Sequence, residues 1–144
     1  MSREAIAIAS DHAGFEVKEA LKTLLLEAGY DIADLGTDGP ESVDYPDFAD
    51  AMAGALADGR AARGVLICGT GIGISIAANR YRHVRAARCC DATDARLARE
   101  HNDANVLVLG SRTSGPETAR DCVRMFLETG FAGGRHQSRV DKMS

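Results

Sequence analysis

GVLICGTGIGISIAANR, Gly64 to Arg80, changes character in its middle. Val65-Leu66-Ile67 is a short apolar run that stops at Cys68. Gly69, Gly71 and Gly73 then occupy alternate positions, and from Ile72 the apolar residues recur with helical spacing. This reads as a buried strand, a glycine turn and a helix over 72–79. Glycines at that density weaken a helix start unless something must come close to the backbone there. The stretch therefore predicts a ligand at the strand end, with a cysteine at its edge.

The same alternation extends in both directions. Ala5–Ser10 reads as a strand, followed by a helix over 15–28 with apolar positions Val17, Leu21, Leu24, Leu25 and Ala28 and a stop at Gly29. Residues 31–35 read as a strand and 46–58 as a helix, with Pro46 in its first turn and Gly59 beyond its end. Residues 84–89 and 106–109 are strand-like, each followed by a helix, over 93–100 and 116–128. Asp91 or Thr93 would cap the former. Five β-α units with short turns predict an α/β protein of three layers, α/β/α and Rossmann-like, whose five-stranded parallel sheet carries helices on both faces. No linker, repeat or biased segment interrupts residues 1–144, so a single domain is expected.

Composition narrows the function. A chain of 144 residues with 45% hydrophobic and 26% charged residues is ordinary globular protein. A net charge of −4 argues against a broad nucleic-acid surface. No apolar run reaches the ~18 residues of a membrane helix, and Met1-Ser-Arg-Glu does not read as a signal peptide. Cys68, Cys89, Cys90 and Cys122 form no C-x-x-C pair, which suits free thiols in a reducing cytoplasm. The last ten residues set Arg135, His136, Arg139 and Lys142 against one acid, Asp141. That patch is either a solvated tail or part of a site for a small anion.

In an open parallel sheet ligands bind beyond the carboxyl ends of the strands. Those ends carry Ser10-Asp11-His12, residues 35–45, Cys68 to Gly71, Cys89-Cys90-Asp91 and Gly110-Ser111-Arg112. The glycine run is not a dinucleotide fingerprint, because position 74 is isoleucine, and with no nearby lysine it is not a phosphate loop of the Walker kind. What remains is a set of free N–H groups suited to an oxyanion or phosphate. The same groups favour a thiolate at Cys68, against the plainer reading of an inert thiol at a strand end. Cys122 reads as core, and one of Cys89 and Cys90 must face inward. His12 and His101 lack the spacing of a zinc set, so no metal is expected, and each is equally readable as a cap or core partner. Arg112 leaves the last strand at the ligand rim. Arg135 and Arg139 share a face if the tail is helical. Guanidinium groups, a thiolate base and a histidine acid would suit proton abstraction beside the carbonyl of a small phosphorylated molecule. A thiol-redox protein would leave the arginines unused, and a non-catalytic phosphate sensor would not need Cys68 with His101.

Five segments match one family in order: Ser10 to Gly14, Asp44-Tyr45-Pro46, Ile67 to Asn79, Arg99 to Val106, and Gly133 to Arg139. The chain resembles the type B ribose-5-phosphate isomerases, in the sugar-phosphate isomerase group that includes galactose-6-phosphate isomerase subunits, from Ala5 to Val140. The resemblance implies an aldose-ketose isomerase without cofactor or metal that interconverts ribose 5-phosphate and ribulose 5-phosphate through an enediolate. It makes Cys68 the base that moves a proton between C2 and C1. Gly69, Thr70, Gly71, Ile72 and Gly73 become the cradle for the enediolate oxygens. His101 becomes the acid that opens the furanose ring, with Asp11 as helper. Asn102 and Tyr45 match sugar contacts, and His12, Arg112, Arg135 and Arg139 the phosphate clamp, the last two from a tail at 129–144. A branch of the family that lacks the cysteine uses a glutamate six residues later, where this chain has Ile74. The resemblance further implies a homodimer with active sites shared at its interface, and leaves open a tetramer and other sugars such as allose 6-phosphate or galactose 6-phosphate.

Overall fold

The computed structural model describes residues 3–144. Strands β1 (Ala5–Ser10), β2 (Asp31–Asp34), β3 (Arg63–Cys68), β4 (Ala86–Arg88) and β5 (Val106–Gly110) form one parallel sheet in the order β2-β1-β3-β5-β4. The helices are α1 (Phe15–Glu27), α2 (Tyr45–Ala57), α3 (Ile72–Ala78), α4 (Ala92–Asn102), α5 (Pro116–Glu128) and α6 (His136–Met143). This is the three-layer Rossmann-like arrangement that the alternation predicts.

Handedness decides which helix covers which face. A right-handed crossover puts α1 on one face as the chain steps from β1 out to β2. The chain then returns past β1 to β3 and on to β4, which sends α2 and α3 to the other face. The backward step from β4 to β5 returns α4 to the first. The strand side chains follow this division by alternation. Ile6, Ile8, Val65, Ile67, Leu107 and Leu109 pack with α1, α4 and α5. Ala7, Ala9, Leu66, Cys68, Val106 and Val108 pack with α2 and α3. Cys89 is buried and Cys90 exposed, and Cys122 lies in the core.

The direction of winding reverses between β1 and β3, and this opens a crevice at their carboxyl ends. Cys68 ends β3 there, beside Asp11 after β1. At the β4 edge of the sheet the Asn79 carboxamide donates to the Ala86 carbonyl and accepts from its N–H, both at 2.8 Å. β4 is shorter than its apolar pattern suggests, and α4 runs two residues further than expected, to Asn102, before Asp103 ends it in a left-handed conformation at φ 47°. Asp91, rather than Thr93, is the cap, accepting from the Asp94 N–H at 2.8 Å. The basic tail is helical from His136.

Candidate active site

The crevice is a cleft of about 470 Å³ lined by Asp11, His12, Tyr45, Cys68, Gly69, Thr70, Ile72, Gly73 and Arg112, with Ala13. Cys68 is 4% exposed, and its Sγ accepts the Gly71 N–H at 3.1 Å. α3 has only seven residues, so this single N–H is the nearest electrostatic support for sulfur charge, ahead of any helix dipole. Gly71 holds φ 77°, a left-handed geometry that glycine adopts without strain, and a Cβ there would stand 3.1 Å from the Leu109 carbonyl. Gly73 has a different reason. A Cβ there would stand 2.6 Å from Cζ of Tyr45, so the tyrosine ring lies against bare backbone.

Neighbouring loops hold the glycine turn in place. The Thr70 hydroxyl accepts the Ile72 N–H at 3.1 Å, and Arg88 Nε donates to the Thr70 carbonyl at 2.8 Å. Beyond β5, the N–H groups of Ser111 and Arg112 donate to the carbonyls of Cys68 and Gly69, at 2.9 and 2.8 Å. This leaves the Arg112 side chain over Gly69. The Ser111 hydroxyl donates to the Ala13 carbonyl at 2.8 Å, joining this loop to the one after β1. Asp11 is buried and caps the 3-10 turn His12–Gly14 by accepting the Gly14 N–H at 3.1 Å.

The segment 36–44, for which sequence gave no role, acts on His12. The Val43 N–H donates to His12 Nδ1 at 3.1 Å, which assigns the ring proton of the neutral imidazole to Nε2. The segment is itself anchored by reciprocal bonds between Ser10 and residues 36 and 37. A further anchor is Lys18, which is buried on α1, with its ammonium 2.9 Å from both carboxylate oxygens of Asp34. Burial pushes the Asp34 carboxyl up, but bonds from Lys22, Lys18 and the Gly36 N–H outweigh it and hold it below the usual carboxylate value. Val43, Arg88 and Lys18 escape sequence reading for different reasons. Val43 acts through its backbone, Arg88 sits in a strand, and Lys18 lies among the apolar positions of α1.

Four expected site residues stand elsewhere. α4 runs back from the cleft rim, so His101 and Asn102 lie on the side of the sheet where β5 begins. The tail joins them there, since the Ala132 N–H donates to the Glu100 carbonyl at 3.0 Å and the His136 and His101 rings stack. Arg135 and Arg139 belong to this second group. Within one chain the three arginines therefore do not converge, and the thiol is separated from His101. Ile72 and Ile76, one turn apart on α3 beside the cleft, are 48% and 57% exposed. Among the described residues no group of three His, Cys, Asp or Glu side chains is placed to hold a metal ion, and no helix is long and apolar enough to cross a membrane.

A thiol under a backbone donor, a carboxylate, an imidazole and a guanidinium around one cleft can bind a phosphorylated anion and move a proton on it. Several proteins similar to this chain are sugar-phosphate isomerases. Ribose-5-phosphate isomerase B of Escherichia coli is 45% identical over 139 residues, covering 96% of this chain and 93% of that protein. The D-erythrulose-4-phosphate isomerase of Pectobacterium atrosepticum is 40% identical over 139 residues, covering 96% and 91%. A crystal structure of a ribose 5-phosphate isomerase from Thermotoga maritima superposes with a TM-score of 0.95 at 52% identity, covering 99% of this chain and 98% of that one. The ribose/galactose isomerase family itself matches residues 6–143, which takes in both groups of site residues. On fold, cleft and sequence together, the chain belongs to the ribose/galactose isomerase family and is an isomerase.

Proposed function

We propose that the protein interconverts ribose 5-phosphate and ribulose 5-phosphate, with Cys68 as the base. His101 protonates the furanose oxygen while Asp11 takes the proton of the C1 hydroxyl. The bond from C1 to the ring oxygen then breaks as the C1 carbonyl forms. The Cys68 thiolate next removes the C2 proton, and the electron pair moves onto O1. Together with the Thr70 side chain, backbone N–H groups of the turn from Gly69 to Gly73, other than those of Gly71 and Ile72 that bond Cys68 and Thr70, stabilise the enediolate oxyanion, which is where preorganised donors contribute most. Cys68 returns its proton to C1, the O2 proton passes to O1, and the C2 carbonyl of the ketose results. His12, Arg112, Arg135 and Arg139 hold the phosphate, and Tyr45 and Asn102 contact the sugar.

This reading needs a homodimer, in which His101, Asn102, Arg135 and Arg139 of one subunit complete the cleft of the other. The separation of the two residue groups within one chain supports it, as does the exposed Ile72–Ile76 surface beside the cleft. In the same reading residues 1–144 are one cytoplasmic domain, the tail at 129–144 supplies two phosphate ligands, and no metal takes part.

The observation that carries the assignment is Cys68 Sγ held at 3.1 Å under the Gly71 N–H on the floor of a cleft with Asp11, His12 and Arg112. The test is isomerisation of ribose 5-phosphate, with the ketose product measured directly, before and after prolonged chelation. Turnover that survives chelation is expected. Absence of ketose, or recovery only on adding metal, would refute the corresponding part. The Pectobacterium relative supports a second reading, a four-carbon sugar phosphate as preferred substrate. The ratio of kcat/KM on four-, five- and six-carbon aldose phosphates decides between them.

A further inference from the structure

The last turn of α4 and the first turn of α6 bring two imidazoles face to face. The ring centroids of His101 and His136 are 4.4 Å apart, and the planes are inclined by 16°. The tail is shaped for this contact. The Ala132 N–H ties it to the Glu100 carbonyl at 3.0 Å, beside His101. Gly133 and Gly134 then turn through left-handed conformations at φ 67° and 55°. The His136 N–H donates to the Gly133 carbonyl at 3.0 Å, and α6 starts with its imidazole against that of His101.

We infer that His136 is a positioning residue for His101, fixing the plane of its imidazole so that a ring nitrogen meets the furanose oxygen. The inference rests on the reading of His101 as the ring-opening acid. A histidine in the last turn of a helix has a broad, weakly restrained outer torsion. A general acid works only within hydrogen-bond reach and in line with the atom it protonates. Contact through the flat face removes the torsional freedom and leaves both nitrogens at the ring edge, free for substrate. A hydrogen bond to one nitrogen would restrain the ring as well, but would occupy a position the reaction needs.

Charge supports the same division of labour. His136 is held below the ordinary histidine value by partial burial, then by the positive charges of His101 on α4 and of Arg135 and Arg139 on its own segment. Two stacked imidazolium ions would repel, so a charge on one ring disfavours a charge on the other.

The test compares His136→Ala, which removes the stack, with His136→Phe, which keeps a flat ring without a titrating nitrogen. Two rates are read. One is isomerisation of ribose 5-phosphate, which must pass through ring opening. The other is exchange of C1 hydrogen of ribulose 5-phosphate in D2O, followed by NMR. That ketose cannot close to a furanose because its O5 carries the phosphate, so exchange needs the base but not the ring-opening acid. His136→Ala should lower kcat by about ten- to a hundred-fold, the range that a misplacement near 1 Å produces. KM should stay within about twofold of wild type, the exchange rate should be unchanged, and His136→Phe should recover most of kcat. Unchanged kcat in a folded His136→Ala protein would overturn the inference. So would an effect on KM alone, an equal loss of exchange, or a folded His136→Phe protein as slow as the Ala variant. If His136→Ala does not fold, His136→Phe and its exchange rate still decide. Wild-type protein that neither isomerises nor exchanges removes the isomerase reading itself, and this inference with it.

Discussion

Refolding an equal mixture of Cys68→Ala and His101→Ala chains should restore activity that neither variant has alone. The separation behind this follows from the sheet register. β5 enters opposite Gly64 at Val106 and leaves opposite Cys68 at Gly110. Four residues at about 3.3 Å each put the two ends about 13 Å apart. His101 lies before the entering end, whereas both residues must come within about 3 Å of atoms of the same small sugar. One chain therefore does not place His101 at the cleft that holds its own thiol. If a two-fold dimer makes two composite sites, random pairing gives mixed dimers in about half of the population. Each mixed dimer has one site with both residues intact and one that lacks both. Activity should return to about a quarter of wild type by that symmetry alone. The assay is isomerase rate per milligram after co-refolding, against each variant refolded alone. Activity no higher than the parents, in samples whose mixed dimers are verified by mass spectrometry of intact complexes, would show that one chain supplies both residues.

Cys68→Ala should lower kcat by about 10²-fold or more with little change in KM, as expected for loss of a general base, and iodoacetate should inactivate the wild type unless substrate is present; normal turnover in the variant ends the assignment. Replacing Arg112, Arg135 or Arg139 by Ala removes a charge-assisted contact of about 1.5–3 kcal/mol, so KM for a phosphorylated sugar should rise about ten- to a hundred-fold. A flat KM in all three would make the tail a solvated end. Gly73→Ala forces Tyr45 aside. Because that ring is 39% exposed and free to swing, the melting temperature should hold while KM rises, and unfolding of the variant would contradict this. Burial, with nearby carboxylates adding, pushes the Cys122 thiol up to about 11 from an ordinary value of 9.0. Above pH 9 the unfolded chain loses this proton and the folded one keeps it, so stability falls as pH rises to 11. The slope contributed is at most about 1.4 kcal/mol per pH unit. Cys122→Ala should flatten the alkaline limb of a denaturation series, and identical slopes would refute the buried-thiol account.

The layers and most element limits are legible in the sequence because period-two and period-3.6 apolar patterns are local. Cys68, Asp11, His12 and Arg112 are legible as a group because a parallel sheet delivers every strand's carboxyl end to one rim. The strand order escapes, since nothing local says that β5 returns between β3 and β4. The support of the site escapes for a related reason. The Val43 N–H on His12 and the Arg88 bond to Thr70 join segments far apart in the chain, and one partner in each is backbone, which carries no residue-specific signal. The separation of His101 from Cys68 was legible, because a helix that follows a parallel strand must run back to the opposite rim.

Asn79 bears on a different problem, how a sheet with two open margins stays solitary. On either side of β4, Arg85 and Cys89 bond inward to β5, so the outward-facing backbone of this short strand is that of Ala86 and Arg88. The Asn79 carboxamide occupies both groups of Ala86, imitating the strand that would otherwise lie there. A foreign β-segment is left at most one residue to template on. The opposite margin, β2, is only four residues long, so an incoming strand finds little ladder to extend. Protected margins of these two kinds suppress edge-to-edge aggregation.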